Sequence, residues 1–91
     1  MSYQLETRYD SRKSFYGKAV VAVRDGYTEL LSYGTLVARI YDGNLVKLYP
    51  AWDASQTTLR HVKEYLRQAG CYVGSKAEME KAYADSYAAA V

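Results

Sequence analysis

Between residues 14 and 49, apolar and aromatic positions arrive in four short runs, separated from one another by pairs containing glycine. The runs 14–24, 27–32, 35–41 and 44–49 are rich in valine, leucine and tyrosine, residues that fit a pleated, half-buried surface. Asp25-Gly26 separates the first two runs and Asp42-Gly43 the last two. Such pairs favour hairpins because a type I′ turn needs positive φ at both central residues. Tyr33-Gly34 turns the chain between the second and third runs. The pattern therefore predicts a four-stranded antiparallel β-meander over 14–49. In the N-terminal segment 1–13, residues 5–9 are a candidate fifth strand at the sheet edge.

After Pro50 the period changes. Leu59, Val62, Leu66 and Ala69 recur at helical spacing and predict a helix over 55–70. Ser55 or Thr57 can cap its start and Gly70 can close its end. Arg60, Lys63, Glu64 and Arg67 then fall on the solvent side. Ser75 followed by Glu78 is a capping box, which opens a second helix over 75–89 carrying Met79, Tyr83 and Tyr87 and fraying at 88–91. The expectation is one α+β domain spanning 1–91: an antiparallel meander of four or five strands, then two C-terminal helices, the first packed on one sheet face.

If all three turns hold two residues, the register assigns every side chain to a face. One face carries Phe15, Ala19, Val21, Val23, Leu30, Val37, Val46 and Leu48, and is the expected core beneath the first helix. The other mixes Tyr16, Lys18, Tyr27, Tyr33, Lys47 and Tyr49 with Val20, Leu31, Leu36, Ile40 and Leu45. Three readings fit that mixture: cover by the second helix or the N-terminal segment, a dimer or partner interface, or a platform that stacks nucleic-acid bases.

Composition narrows the function classes. With 91 residues, 49% of them hydrophobic and 24% charged, the chain can bury one core, and it has no apolar run of the roughly 20 residues needed to span a bilayer. The N-terminus lacks the features of a signal peptide, and the lone Cys71 suits a reducing compartment, so a cytoplasmic protein is expected. Net charge is +2, too little to mark a nucleic-acid binder by itself. Eleven tyrosines against one phenylalanine and one tryptophan are unusual, and tyrosine favours interfaces because its ring is apolar and its tip polar.

Catalytic chemistry is not assembled in the sequence. One histidine, His61, and one cysteine ten positions away do not make a metal cluster, and the glycines mark turns rather than a phosphate loop. A nucleophilic triad would have to pair His61 with a serine or with Cys71, and no spacing selects a partner. The expectation is a non-enzyme without cofactor or metal. Arg60, Lys63 and Arg67 form a basic row that is either a solvated face or a contact for an acidic protein or a phosphate backbone. Trp52, beside Pro50, either plugs the edge of the core or, if exposed, is a binding hot spot.

Four segments also carry a resemblance: 9–19 (Tyr-Asp-Ser-Arg-Lys-Ser-Phe-Tyr-Gly-Lys-Ala), 31–35 (Leu-Ser-Tyr-Gly-Thr), 57–66 (Thr-Thr-Leu-Arg-His-Val-Lys-Glu-Tyr-Leu) and 75–83 (Ser-Lys-Ala-Glu-Met-Glu-Lys-Ala-Tyr). In this order they resemble a family of small uncharacterised proteins encoded by bacteriophages and mobile elements. Gly34 stands where that pattern often has Asp, and the tail after Tyr83 lies outside it. The resemblance carries over no catalytic residue. It implies an accessory phage protein in the bacterial cytoplasm that inhibits a host protein stoichiometrically, as anti-CRISPR proteins do with CRISPR effectors. Partner contact is then expected at Tyr16, Lys18, Tyr33, Lys47, Tyr49, Trp52, Arg60, Lys63 and Arg67. The alternatives are a small nucleic-acid-binding accessory protein and a self-associating structural or assembly protein.

Overall fold

The computed structural model describes residues 1–10, 15 and 17–83. They form a five-stranded antiparallel sheet in sequential order, β1 (Ser2–Gln4), β2 (Ala19–Arg24), β3 (Tyr27–Ser32), β4 (Thr35–Tyr41) and β5 (Leu45–Leu48). A 3-10 turn (Pro50–Asp53) leads into α1 (Gln56–Gln68), and α2 (Lys76–Ala82) follows. The meander and the two helices are those the sequence predicts. The fifth strand is not: it is Ser2–Gln4, pairing with β2, rather than 5–9. Leu5 instead turns into the core, its amide bound to the Ala19 carbonyl, and residues 8–10 leave the sheet for α1.

Helix starts follow the expected chemistry. The Ser55 side chain accepts from the Thr58 amide at the start of α1, and Ser75 and Glu78 form both bonds of the capping box on α2. The described part of α2 ends at Ala82 with Tyr83 as its C-cap, and the expected continuation to 89 lies outside the described residues.

The core lies between α1 and one sheet face. Val21, Leu30, Ala38 and Leu48 stand opposite one another across four strands, with Val62, Leu66, Trp52 and Met79 packed against them. Trp52 is 2% exposed and belongs to this core, which removes it from the expected partner contacts.

Two departures from a regular meander explain where the face assignment fails. A bulge in β4 places Leu30 opposite Ala38 but Leu31 opposite Leu36, so Val37 is an extra residue. Beyond it the parity of β4 reverses: Ile40 enters the core and Arg39 and Tyr41 reach the outer face. The β4–β5 loop then holds three residues, Asp42, Gly43 and Asn44, because Tyr41 pairs with Leu45. The second extra residue cancels the first, so Val46 and Leu48 point inward as predicted. The true pair of consecutive positive φ angles in a two-residue hairpin falls at Tyr33-Gly34 (52° and 80°); at Asp25-Gly26 only the glycine is positive.

Candidate functional site

No described helix covers the outer face of the sheet. Its centre is Glu29, from β3, whose directly opposed neighbours are Ala22 on β2 and Arg39 on β4, with Lys47 beyond on β5. Arg24 Nε donates to Glu29 Oε1 at 3.0 Å, and Arg39 donates to Oε2 through Nε and Nη2, both at 2.8 Å. Burial alone would raise the Glu29 carboxyl, but the hydrogen bonds and charges of the two arginines outweigh it and hold it below its ordinary value.

Tyrosines frame this cluster. The Arg39 guanidinium lies 4.9 Å from the Tyr27 ring centroid and 5.4 Å from that of Tyr49, and its Nη1 donates to the Tyr41 hydroxyl at 3.2 Å. The Tyr27 and Tyr41 rings pack at 5.3 Å, and Lys47 Nζ stands 5.8 Å over Tyr41. Arg39's hydrogen bond lowers the Tyr41 hydroxyl, whereas burial raises that of Tyr49. Every aromatic ring of this plate is thus braced by a cation or by another ring, with three cations against one carboxylate. Leu45, 67% exposed, adds a large apolar side chain beside it.

A cleft of about 640 Å³ opens beside the plate at the end of the sheet beyond the C-terminal turn of α1. Buried Leu5, Ile40 and Tyr65 line it together with Thr28, whose Oγ1 lies 2.5 Å from the Tyr65 hydroxyl. Tyr27, Tyr41 and Arg24 line the cleft as well as the plate, so the two features are continuous. Burial raises the Tyr65 hydroxyl to about 12, so it is protonated and a hydrogen-bonding group at neutral pH.

A second surface follows α1. Arg60 Nη1 donates to Asp10 Oδ1 at 2.9 Å, which ties the N-terminal segment to the helix. Lys63 and Arg67 continue the row, and together with Tyr9, 59% exposed, they line a groove of about 420 Å³. Glu64 does not join this solvent side as the sequence predicts; it is 1% exposed. Its carboxylate accepts from the backbone amides of Arg8, Tyr9 and Asp10 at 3.2, 3.0 and 2.9 Å and from Gln68 Nε2 at 2.6 Å. Burial would raise the Glu64 carboxyl, but these donors together bring it below its ordinary value.

The expected contact residues therefore separate. Lys47 and Tyr49 sit on the outer plate; Arg60, Lys63 and Arg67 form the helix row; Tyr16 lies outside the described residues. Lys18 is exposed at the entry to β2. Tyr33 lies in the β3–β4 turn as expected, but its ring, assigned to the face of Lys47 and Tyr49, is 5.8 Å from His61 of α1. Sequence reasoning missed Arg24, Glu29, Arg39 and Tyr41 as members of the plate, and Tyr9 as part of the groove lining. The alternation Tyr27-x-Glu29, Arg39-x-Tyr41 and Lys47-x-Tyr49 is the signal that identifies the plate, one polar or aromatic position on every second residue of three strands.

The structure also selects the serine partner that the sequence left open for His61. Ser32 Oγ is 2.8 Å from His61 Nδ1 and 2.9 Å from Thr58 Oγ1. All three groups are buried, with Phe15 edge-on to the imidazole at 4.4 Å, so the trio joins β3 to α1 away from solvent. Cys71 is half-buried, and burial raises its thiol. Among the described residues no three His, Cys, Asp or Glu side chains gather as for a metal ion, and no helix is long and apolar enough to cross a membrane.

Residues 3–81 match the profile of a family of unknown function, DUF8033, and the chain belongs to that family. No curated protein and no solved structure matches it.

Proposed function

We propose that this DUF8033 member is a non-catalytic binding module that docks a protein partner on the tyrosine–arginine plate of its sheet. The observation that supports this most is Arg39, set between Tyr27 and Tyr49 and bonded to Glu29 and Tyr41. Long side chains normally lose rotamer freedom on binding, at about 0.5–1.5 kcal/mol each, and here Arg39 already has bonded and ring partners before any docking. Tyrosine and arginine are also the residue types in which interface hot spots concentrate. The adjoining cleft offers a depression for an apolar anchor side chain of the partner. The three cations of the plate favour a partner surface bearing carboxylates.

The resemblance to phage-encoded proteins extends this reading. The partner is a bacterial host protein, and the molecule acts in the host cytoplasm as a stoichiometric counter-defence inhibitor of the anti-CRISPR type. Its test is a pull-down of tagged protein from bacterial host lysate treated with nuclease, with a Lys47→Ala, Tyr49→Ala double variant alongside. Wild-type protein is expected to retain a protein in near-equal amount, and the variant to lose it while keeping its melting temperature. Retention of nucleic acid alone, or equal capture by the variant, would refute the proposal.

A further inference from the structure

We infer that the groove between Tyr9 and α1 is a second binding site, for single-stranded nucleic acid. A basic row on a helix is ordinarily neutralised by acids three or four residues away. In α1 that acid is Glu64, at i+4 from Arg60 and i−3 from Arg67. Its carboxylate is turned inward and saturated by three backbone amides and Gln68, so it forms no ion pair with the row. The remaining acid in the groove, Asp10, is bonded to Arg60. Lys63 and Arg67 are left facing the groove without a carboxylate partner among the described residues.

The dimensions and the groove's aromatic residue point to the ligand. From Arg60 to Arg67 the helix rises about 10 Å at 1.5 Å per residue. A strand carrying one phosphate per roughly 3.4 Å of rise presents about three phosphates over that length. Tyr9 lines the same groove with its side chain exposed, and its backbone is anchored because its own amide and those on either side bind Glu64. A cationic rail sharing a groove with an exposed aromatic side chain on an anchored backbone is the arrangement that takes up a single strand, the rail following phosphates and the ring stacking a base. An acidic peptide would use the rail but has no general need of the ring. This site is independent of the plate, which lies on the opposite face of the sheet from α1.

Fluorescence anisotropy with a labelled twelve-residue oligo-dT tests the inference. With two phosphate contacts, affinity is expected to fall about sevenfold between 50 and 200 mM salt, from a slope of roughly −0.7 per contact. Lys63→Ala with Arg67→Ala should weaken binding at least tenfold and flatten that slope; the double glutamine variant guards against a packing defect. Tyr9→Ala should weaken binding about fivefold or more with the slope unchanged, because stacking is not ionic. Tyr49→Ala should leave oligonucleotide binding intact, so this result and the pull-down can fail separately. Absence of binding at 50 mM salt would overturn the inference. So would an unaffected Tyr9→Ala variant together with equal displacement by polyglutamate, which would reduce the groove to a non-specific cation surface.

Discussion

Replacing Glu64 by glutamine changes one atom and removes a charge that organises the N-terminal segment. Oε1 accepts from the amides of Tyr9 and Asp10, and Oε2 from the amide of Arg8 and from Gln68, which itself reaches on to the Glu6 carbonyl. A glutamine amide keeps one oxygen, so in either orientation two of the four donors face an NH₂ group. Hydrogen bonds to charged groups contribute about 1.5–3 kcal/mol each, and Arg8 and Tyr9 lie near water, so the lower figure applies and the expected loss is about 3 kcal/mol. For a domain of this size that lowers Tm by roughly 12–24 °C. Urea denaturation should show the midpoint fall at unchanged m, and hydrogen exchange should show the amides of residues 8–10 losing protection first. The pH dependence has a definite sign. Glu64 has a folded pKa below its ordinary 4.5, so its contribution is complete above 4.5 and is lost as pH falls through the folded value. E64Q should therefore flatten the acid limb of the stability curve. A loss below about 0.5 kcal/mol, the scale of an ordinary surface substitution, or unchanged protection at residues 8–10 would refute the reasoning.

Other predictions follow from the same geometry. Burial depresses the His61 imidazole below its ordinary 6.5 despite nearby Asp10, and its Nε2 has no hydrogen-bond partner among the described residues. Its contribution to stability is therefore complete above pH 6.5 and declines as pH falls towards the folded pKa, a slope that thermal melts of His61→Gln should lack. Trp52→Ala should destabilise by about 3–5 kcal/mol through a core cavity, seen in chemical denaturation; a stable variant would contradict its place in the core. Arg39→Ala leaves the Glu29 carboxylate with Arg24 alone. It should cost about 2 kcal/mol, discounted from the 3–5 of a fully buried pair because Arg39 retains some exposure, and should raise the pH at which Glu29 titrates by NMR.

Much of the fold was legible because its signals are local. The glycine-containing turns, the helical period from Leu59 onward and the Ser75–Glu78 box each act within a few residues, and each is found where the pattern puts it. The failures share a different cause. Glu64 reads as a solvent residue because its neighbours in sequence are polar, yet the donors that bury it are main-chain amides more than fifty positions away, which leave no mark in the sequence. The bulge at Val37 is equally silent, since valine is at home in a regular strand. Its effect was to hide Arg39 and Tyr41, and with them the centre of the plate. Lys47 and Tyr49 were legible because the extra residue in the loop restored the parity of β5.

Those two extra residues are the places where this part of the chain can change length. Hairpin loops usually accept insertions and deletions readily. Here, removing one residue from 42–44 leaves Tyr41 opposite Leu45 across a two-residue turn, so Lys47 stays outward and Val46 and Leu48 stay inward. Deleting Val37 makes Leu31–Leu36 and Leu30–Ala38 consecutive pairs, so Arg39 keeps its place opposite Glu29. Register thus permits each change by itself, so length variants in 42–44 should occur without any change in β4, whereas loss of Val37 removes a buried side chain and should be rarer.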